Sequence, residues 1–167
     1  MRFTDVLERI NVVAGRIVAW LTLVMVLTTF GIVVMRYRFD SGWIWLQESV
    51  TWMHAAVFML TAAYTLARED HVRVDIFYGR FSPRAKAVVD AAGALFLLIP
   101  VTLFFITESW DYVAISWRIH ESSGEAGGLI YPFPSMLKSL IPVMSVMLLL
   151  QGIVLLSRSV QSLRTKA

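Results

Sequence analysis

The chain has 167 residues, 57% of them hydrophobic and 16% charged, with a mean hydropathy of +0.67 and a formal net charge of +3. This is enough for one domain, and its charges gather between long apolar runs, which excludes an ordinary soluble protein and reads as a membrane protein. The absence of cysteine excludes disulfides, thiolate catalysis, zinc–thiolate sites and iron–sulfur clusters. The pI near 9.5 comes from Lys and Arg at the ends of apolar runs, a pattern of membrane orientation rather than of nucleic-acid binding.

The first apolar run, 17–35, is uncharged and long enough to cross about 30 Å of hydrocarbon. It is too long for a signal peptide, and "RYRFDSGW" follows it instead of a small-residue cleavage site, so it reads as a retained anchor. The second run covers 50–66, with Trp43 and Trp45 ahead of it as interfacial aromatics.

After it comes "LAREDHVRVDIF", 66–77, where Arg68, Glu69, Asp70, His71, Arg73 and Asp75 crowd together. Val72, Val74 and Ile76 alternate as in a strand, but a lone strand beside a membrane leaves its edges unpaired. A helix end, a turn and a short interfacial helix capped by Asp75 and formed by "IFYGRF" is the better expectation. His71 and Asp75 could chelate at four-residue spacing, but no third ligand converges on them, so no metal site is assigned.

The third run, 87–106, is announced by Ser82 as N-cap and Pro83 at the first helical position. Pro100 should kink it, and its helical pattern continues through "TESWDYVAISWRIHE" as an extension beyond the bilayer. The fourth run, 140–156, has Pro142 near its expected first turn, where the missing N–H matters least.

The expected fold is an all-α integral membrane domain of four transmembrane helices covering 1–167. Arg2, Arg9, Arg16, Arg68, Arg73, Arg80, Arg84, Lys86, Arg158, Arg164 and Lys166 fall on one side of this layout, and only Arg36, Arg38, Arg118 and Lys138 on the other. The positive-inside rule then puts both termini and the 66–77 stretch in the cytoplasm, with 36–49 and 107–139 outside.

Ionisable groups inside a membrane are functional candidates because they are costly there. His54 and Asp90 are the clearest. Asp90 reads as a hydrated or paired interfacial carboxylate with Lys86 four residues away. His54 shares a helix face with Thr51 and Gln47 and reads as a buried, hydrogen-bonded side chain rather than a proton carrier. A haem-bearing subunit would need more histidines on facing helices. "GEAGG" at 124–128 reads as a turn. Trp110 and Trp117, seven apart on the extended third helix, read equally as interfacial lipid anchors and, together with Arg118, as a candidate docking face for another protein.

Three stretches carry a family resemblance. In "RYRFDSGWIWLQES" they are Arg36, Tyr37, Phe39, Ser41, Trp45 and Glu48, and in "AREDHVRVD" they are Arg68, His71, Val74 and Asp75. In "HESSGEAGGLIYPFPSMLKSLIPVMSVMLLLQG" they are Glu121, Ser123, Gly128, Lys138, Pro142 and Gln151. Together they resemble the small membrane subunit, DctQ-type, of tripartite ATP-independent periplasmic (TRAP) transporters. Gln47 precedes Glu48 where family members often have a second acid.

The resemblance implies an inner-membrane, multi-pass, non-enzymatic scaffold subunit. It would support a large multi-span subunit in sodium-driven, binding-protein-dependent uptake of a carboxylate-type solute. The sodium sites would lie in the large subunit, and this chain would need no cofactor. Arg36, Trp45, Glu48, Trp52, His54, Arg68, His71 and Asp75 become signature, structural or large-subunit interface residues. Trp110, Trp117 and Arg118 could meet a periplasmic binding protein. The alternatives are a self-assembling small transporter or channel, and the membrane anchor of a redox complex.

Overall fold

The computed structural model describes residues 3–67 and 78–165, and these contain helices and loops but no strand. Four helices are long and apolar enough to cross a membrane. They are α1 (Phe3–Phe39), α2 (Ile44–Ala67), α3 (Pro83–Arg118) and α4 (Phe133–Thr165). The expected interfacial helix and the residues Arg68, His71 and Asp75 fall mainly in 68–77, outside the described residues.

The helix ends follow from local chemistry. α1 closes at Asp40, whose φ of 47° is left-handed, while the Ser41 N–H reaches back to the Met35 carbonyl at 3.1 Å. Asp is one of the few non-glycine residues that tolerates this conformation. Ser82 caps α3 as expected, its side chain accepting from the Ala85 N–H, with Pro83 next. At the far end of α3, His120 takes the left-handed position, φ 51°, and the Glu121 N–H bonds the Ser116 carbonyl at 3.1 Å.

The two prolines act differently, and only Pro142 departs from expectation. Pro100 does not end or divide α3. Residues Ala94–Leu98 form a single π-helical turn ahead of it, and the Ile99 N–H bonds to the Ala94 carbonyl five residues back. A π-turn beside a proline accommodates the lost N–H and the ring's clash with the preceding turn. Pro142 lies well inside α4, because that helix starts at Phe133, earlier than the apolar run alone indicated.

α1 packs on α2, α2 on α4, and α4 on α3, with a smaller contact between α1 and α4. α4 is thus the shared partner that joins two halves. The contacts are made by small residues. Ala56, Ala63 and Ala67 are buried on α2, and Ala87, Ala94, Thr102, Ser109 and Ser116 on α3. Ser135, Ser145, Gln151, Val154 and Ser159 are buried on α4. In lipid there is little hydrophobic gain in pairing apolar helices, so close backbone approach and interhelical hydrogen bonds drive association.

The buried hydroxyls are satisfied locally. Thr102 donates to the Leu98 carbonyl at 2.9 Å, Ser109 to Phe105 and Ser145 to Ile141 at 2.9 Å. Between helices, Ser116 Oγ donates to Ser135 Oγ at 3.0 Å, and Ser135 Oγ contacts the Ser116 carbonyl at 3.1 Å. The large apolar side chains point outward instead, among them Trp20, Phe30, Phe58, Phe96 and Phe104.

Candidate functional site

The richest polar constellation is at the loop end shared by α2, α3 and α4, where the first and third resembling stretches meet. Glu48, in the second turn of α2, is the centre. Its carboxylate accepts the Ser123 hydroxyl on one oxygen and the Leu129 N–H, at 2.6 Å, on the other. Hydrogen bonds to an ionised acceptor are the stronger kind. The loop closes on itself through the Ser123 N–H to the Leu129 carbonyl at 2.8 Å, and Gly128 N–H to Glu125 at 3.0 Å. The Trp45 N–H joins the first turn of α2 to the Gly127 carbonyl at 3.0 Å. This is the "GEAGG" segment, and it is a turn as expected, with Gly127 at φ 81°. The Leu129 amide just after it does hold a carboxylate, but the carboxylate is the chain's own.

A second tie lies beside this clasp. Lys138 of α4 donates to Glu121 at 2.5 Å, and its ammonium lies 4.2 Å from the Tyr112 ring centroid of α3. The Glu121 carboxyl is held below its ordinary range, first by the Lys138 hydrogen bond and then by the nearby Ser116 hydroxyl. Trp117 donates its indole N–H to Ser139 Oγ at 2.9 Å and packs edge-on to Tyr131, which also stacks with His120. A cleft of about 300 Å³ lies between these ties, lined by Glu48, Trp52, Glu121 and Leu137. The Trp52 indole nitrogen is buried there without an acceptor among the described residues.

The sequence-derived residues therefore separate into groups. Glu48 and the backbone of Trp45 belong to the clasp, and Trp52 lines the cleft behind it. Arg36 is exposed near the turn between α1 and α2. His54 is a correction: it is exposed rather than buried, as are Thr51 and Gln47. The reason lies in α2's buried face, which is set by Ala56, Ala63 and Ala67 and leaves His54 two residues, over half a turn, away. Asp90 is paired as expected, but its partner is the Tyr78 hydroxyl at 2.7 Å rather than the neighbouring Lys86. Trp110 is 66% exposed and Arg118 is exposed, whereas Trp117 is tied into the loop and 39% exposed.

Sequence reading grouped Glu121, Ser123, Gly128 and Lys138 by likeness but not with Glu48 as one site. The missing link is the Leu129 amide, a backbone donor that no residue type announces. The available signal was the run of glycines, which lets the loop come close to a carboxylate.

Residues 24–162 match the family model described as "Tripartite ATP-independent periplasmic transporters, DctQ component". A similar protein is the "C4-dicarboxylate TRAP transporter small permease protein DctQ" of Vibrio cholerae serotype O1, 26% identical over 111 residues. That alignment covers 66% of this chain and 45% of the Vibrio protein, so the matched part spans less than half of that relative's length. The match takes in the last part of α1, all of α2, the clasp and nearly all of α4, and the chain belongs to the DctQ-component family of TRAP transporters, as a multi-pass inner-membrane protein.

Proposed function

We propose that this chain is a scaffold subunit, without catalytic activity, that supports a large membrane subunit in sodium-driven uptake of a carboxylate-type solute delivered by a periplasmic binding protein. The observation that carries this reading is where the chain spends its polarity. The buried hydroxyls of α3 and α4 bond to nearby carbonyls and to each other. The charged groups of the clasp hold its own loop together. Large apolar faces are left turned outward, suited to lipid and to another membrane protein.

The Vibrio relative's name speaks of C4-dicarboxylates, which supports a carboxylate as the class of solute. The charge distribution supports cytoplasmic termini, with the clasp and Trp110 on the periplasmic side. Arg68, His71 and Asp75 would then lie on the cytoplasmic side and help grip the large subunit.

Co-expression with a large TRAP membrane subunit tests this. The expected result is a stable complex, and sodium-dependent uptake in vesicles that needs both subunits and the binding protein. Uptake by the large subunit alone at the same rate would overturn the scaffold role. Homo-oligomers alone would favour a self-assembling channel, and a haem absorbance band a redox anchor. His71→Ala or Asp75→Ala is expected to lower the pull-down yield.

A further inference from the structure

Among the described helices α3 packs chiefly on α4, through the buried Thr102, Ser109 and Ser116 in its second half. On another side of that half, Val101, Phe104, Glu108, Asp111 and Ile115 follow at steps of three and four residues, and all are exposed. That spacing sets them along one stripe, the pattern by which a helix meets a second helix along a seam. Neither Glu108 nor Asp111 has a hydrogen-bond or ion-pair partner among the described residues. Lys138 is taken by Glu121, and Arg118 lies two turns beyond Asp111.

The level of the pair follows from two contacts between antiparallel helices. Leu98 abuts Gly152, and Ser116 bonds Ser135. Counting between them sets Glu108 and Asp111 roughly opposite Val143 and Leu140, which belong to the apolar run of α4. Outward carboxylates at that level are costly unless a counter-charge meets them. Lipid tails bring none. A second copy of this chain would bring the wrong one, because a two-fold axis along the membrane normal sets Glu108 beside Glu108 and Asp111 beside Asp111. A membrane helix with Lys or Arg on its facing side supplies both the charge and the packing.

We propose that the Val101–Ile115 stripe is the seam for a membrane helix of the large subunit, which sets Lys or Arg against Glu108 and Asp111 and packs on Phe104 and Ile115. The identity of the partner rests on the scaffold role; the chemistry of the seam rests on the stripe itself.

The test co-expresses the full chain with a large TRAP membrane subunit and reads pull-down yield, with the thermal midpoint of the isolated chain alongside. Glu108→Lys/Asp111→Lys should lower the yield roughly tenfold or more, as expected when like charges meet at an interface. Glu108→Gln/Asp111→Asn should lower it less and keep the midpoint. Glu125→Lys, an exposed acid in the loop, should leave it intact. The chain has no cysteine, so Phe104→Cys carries its only thiol. A benzophenone maleimide placed there should crosslink to the large subunit. A wild-type complex with normal yield from the lysine pair would overturn the seam and leave the scaffold role standing. Equal loss in Glu125→Lys would overturn it as a general charge effect, and crosslinks to a second copy or to lipid alone would overturn it too. Failure of the wild-type chain to form a complex would overturn the scaffold role and the seam together.

Discussion

A methyl group at Gly128 would sit 2.5 Å from Ser123 Oγ, 2.7 Å from Ser123 Cβ and 2.8 Å from a Glu48 oxygen. The Ser123 Cβ is fixed to the loop and cannot swing away. Gly128→Ala should therefore open the clasp at a cost of about 1–3 kcal/mol, typical of overpacking, seen as a lower thermal midpoint and faster proteolysis within 119–132. An unchanged cleavage rate would mean that the loop is held elsewhere. The neighbouring Glu121 gives a pH dependence. Its folded value lies below the ordinary 4.5, so its contribution is complete above about pH 4.5 and disappears as pH falls through the lower folded value. Amide exchange in the 119–132 loop should accelerate over that acid window in the native chain. In Glu121→Gln the Glu121 part of this dependence should vanish. The two tryptophans also part at this scale. Trp117→Ala should destabilise the loop by removing a hydrogen bond and the Tyr131 contact. Trp110→Ala, exposed and without these ties, should keep the thermal midpoint and lower uptake if the binding protein docks there; unchanged uptake would remove Trp110 from that role.

Along α3 the buried small residues fall at 87, 94, 102, 109 and 116, steps of seven with a single step of eight. A seven-residue step keeps nearly the same helix face, and an eight-residue step would turn the stripe away from α4. The extra residue is absorbed by the π-turn Ala94–Leu98, and the stripe resumes on the same side. Ala94 is 2% exposed at that seam, and a Cβ on facing Gly152 would lie 3.0 Å from Leu98 Cδ2. Ala94→Leu should force the helices apart, at a cost of about 1–3 kcal/mol, and lower the midpoint accordingly; a wild-type midpoint would show that the seam can yield. The four helices were legible in sequence because apolar length is a strong signal for a membrane span. The proline effects were only half legible. Pro100 announced an irregularity, but its form depended on keeping Thr102 in line with Ala94. Pro142 was misplaced because α4 begins in "FPSMLKS", which is too polar to count as part of an apolar run. His54 was misread because a polar residue in a span was assumed to face inward, whereas alanines had already taken that side of α2.

On the scale of the whole molecule, α1–α2 and α3–α4 are two pairs, and the principal helix contact between them is α2 with α4. The clasp adds a tie across the same divide, from Glu48 on α2 to the loop between α3 and α4. Both ties depend on residues after 120. During synthesis the α1–α2 pair and then the third helix can enter the membrane with little to hold the third to the pair. The molecule becomes one object only when its last quarter arrives. A nascent chain stopped before Ser123 should thus hold α1 packed on α2, with the third helix in no fixed place beside them. For quality control in the cell, completion of the C-terminal helix is then the event that separates a finished subunit from an unfinished one.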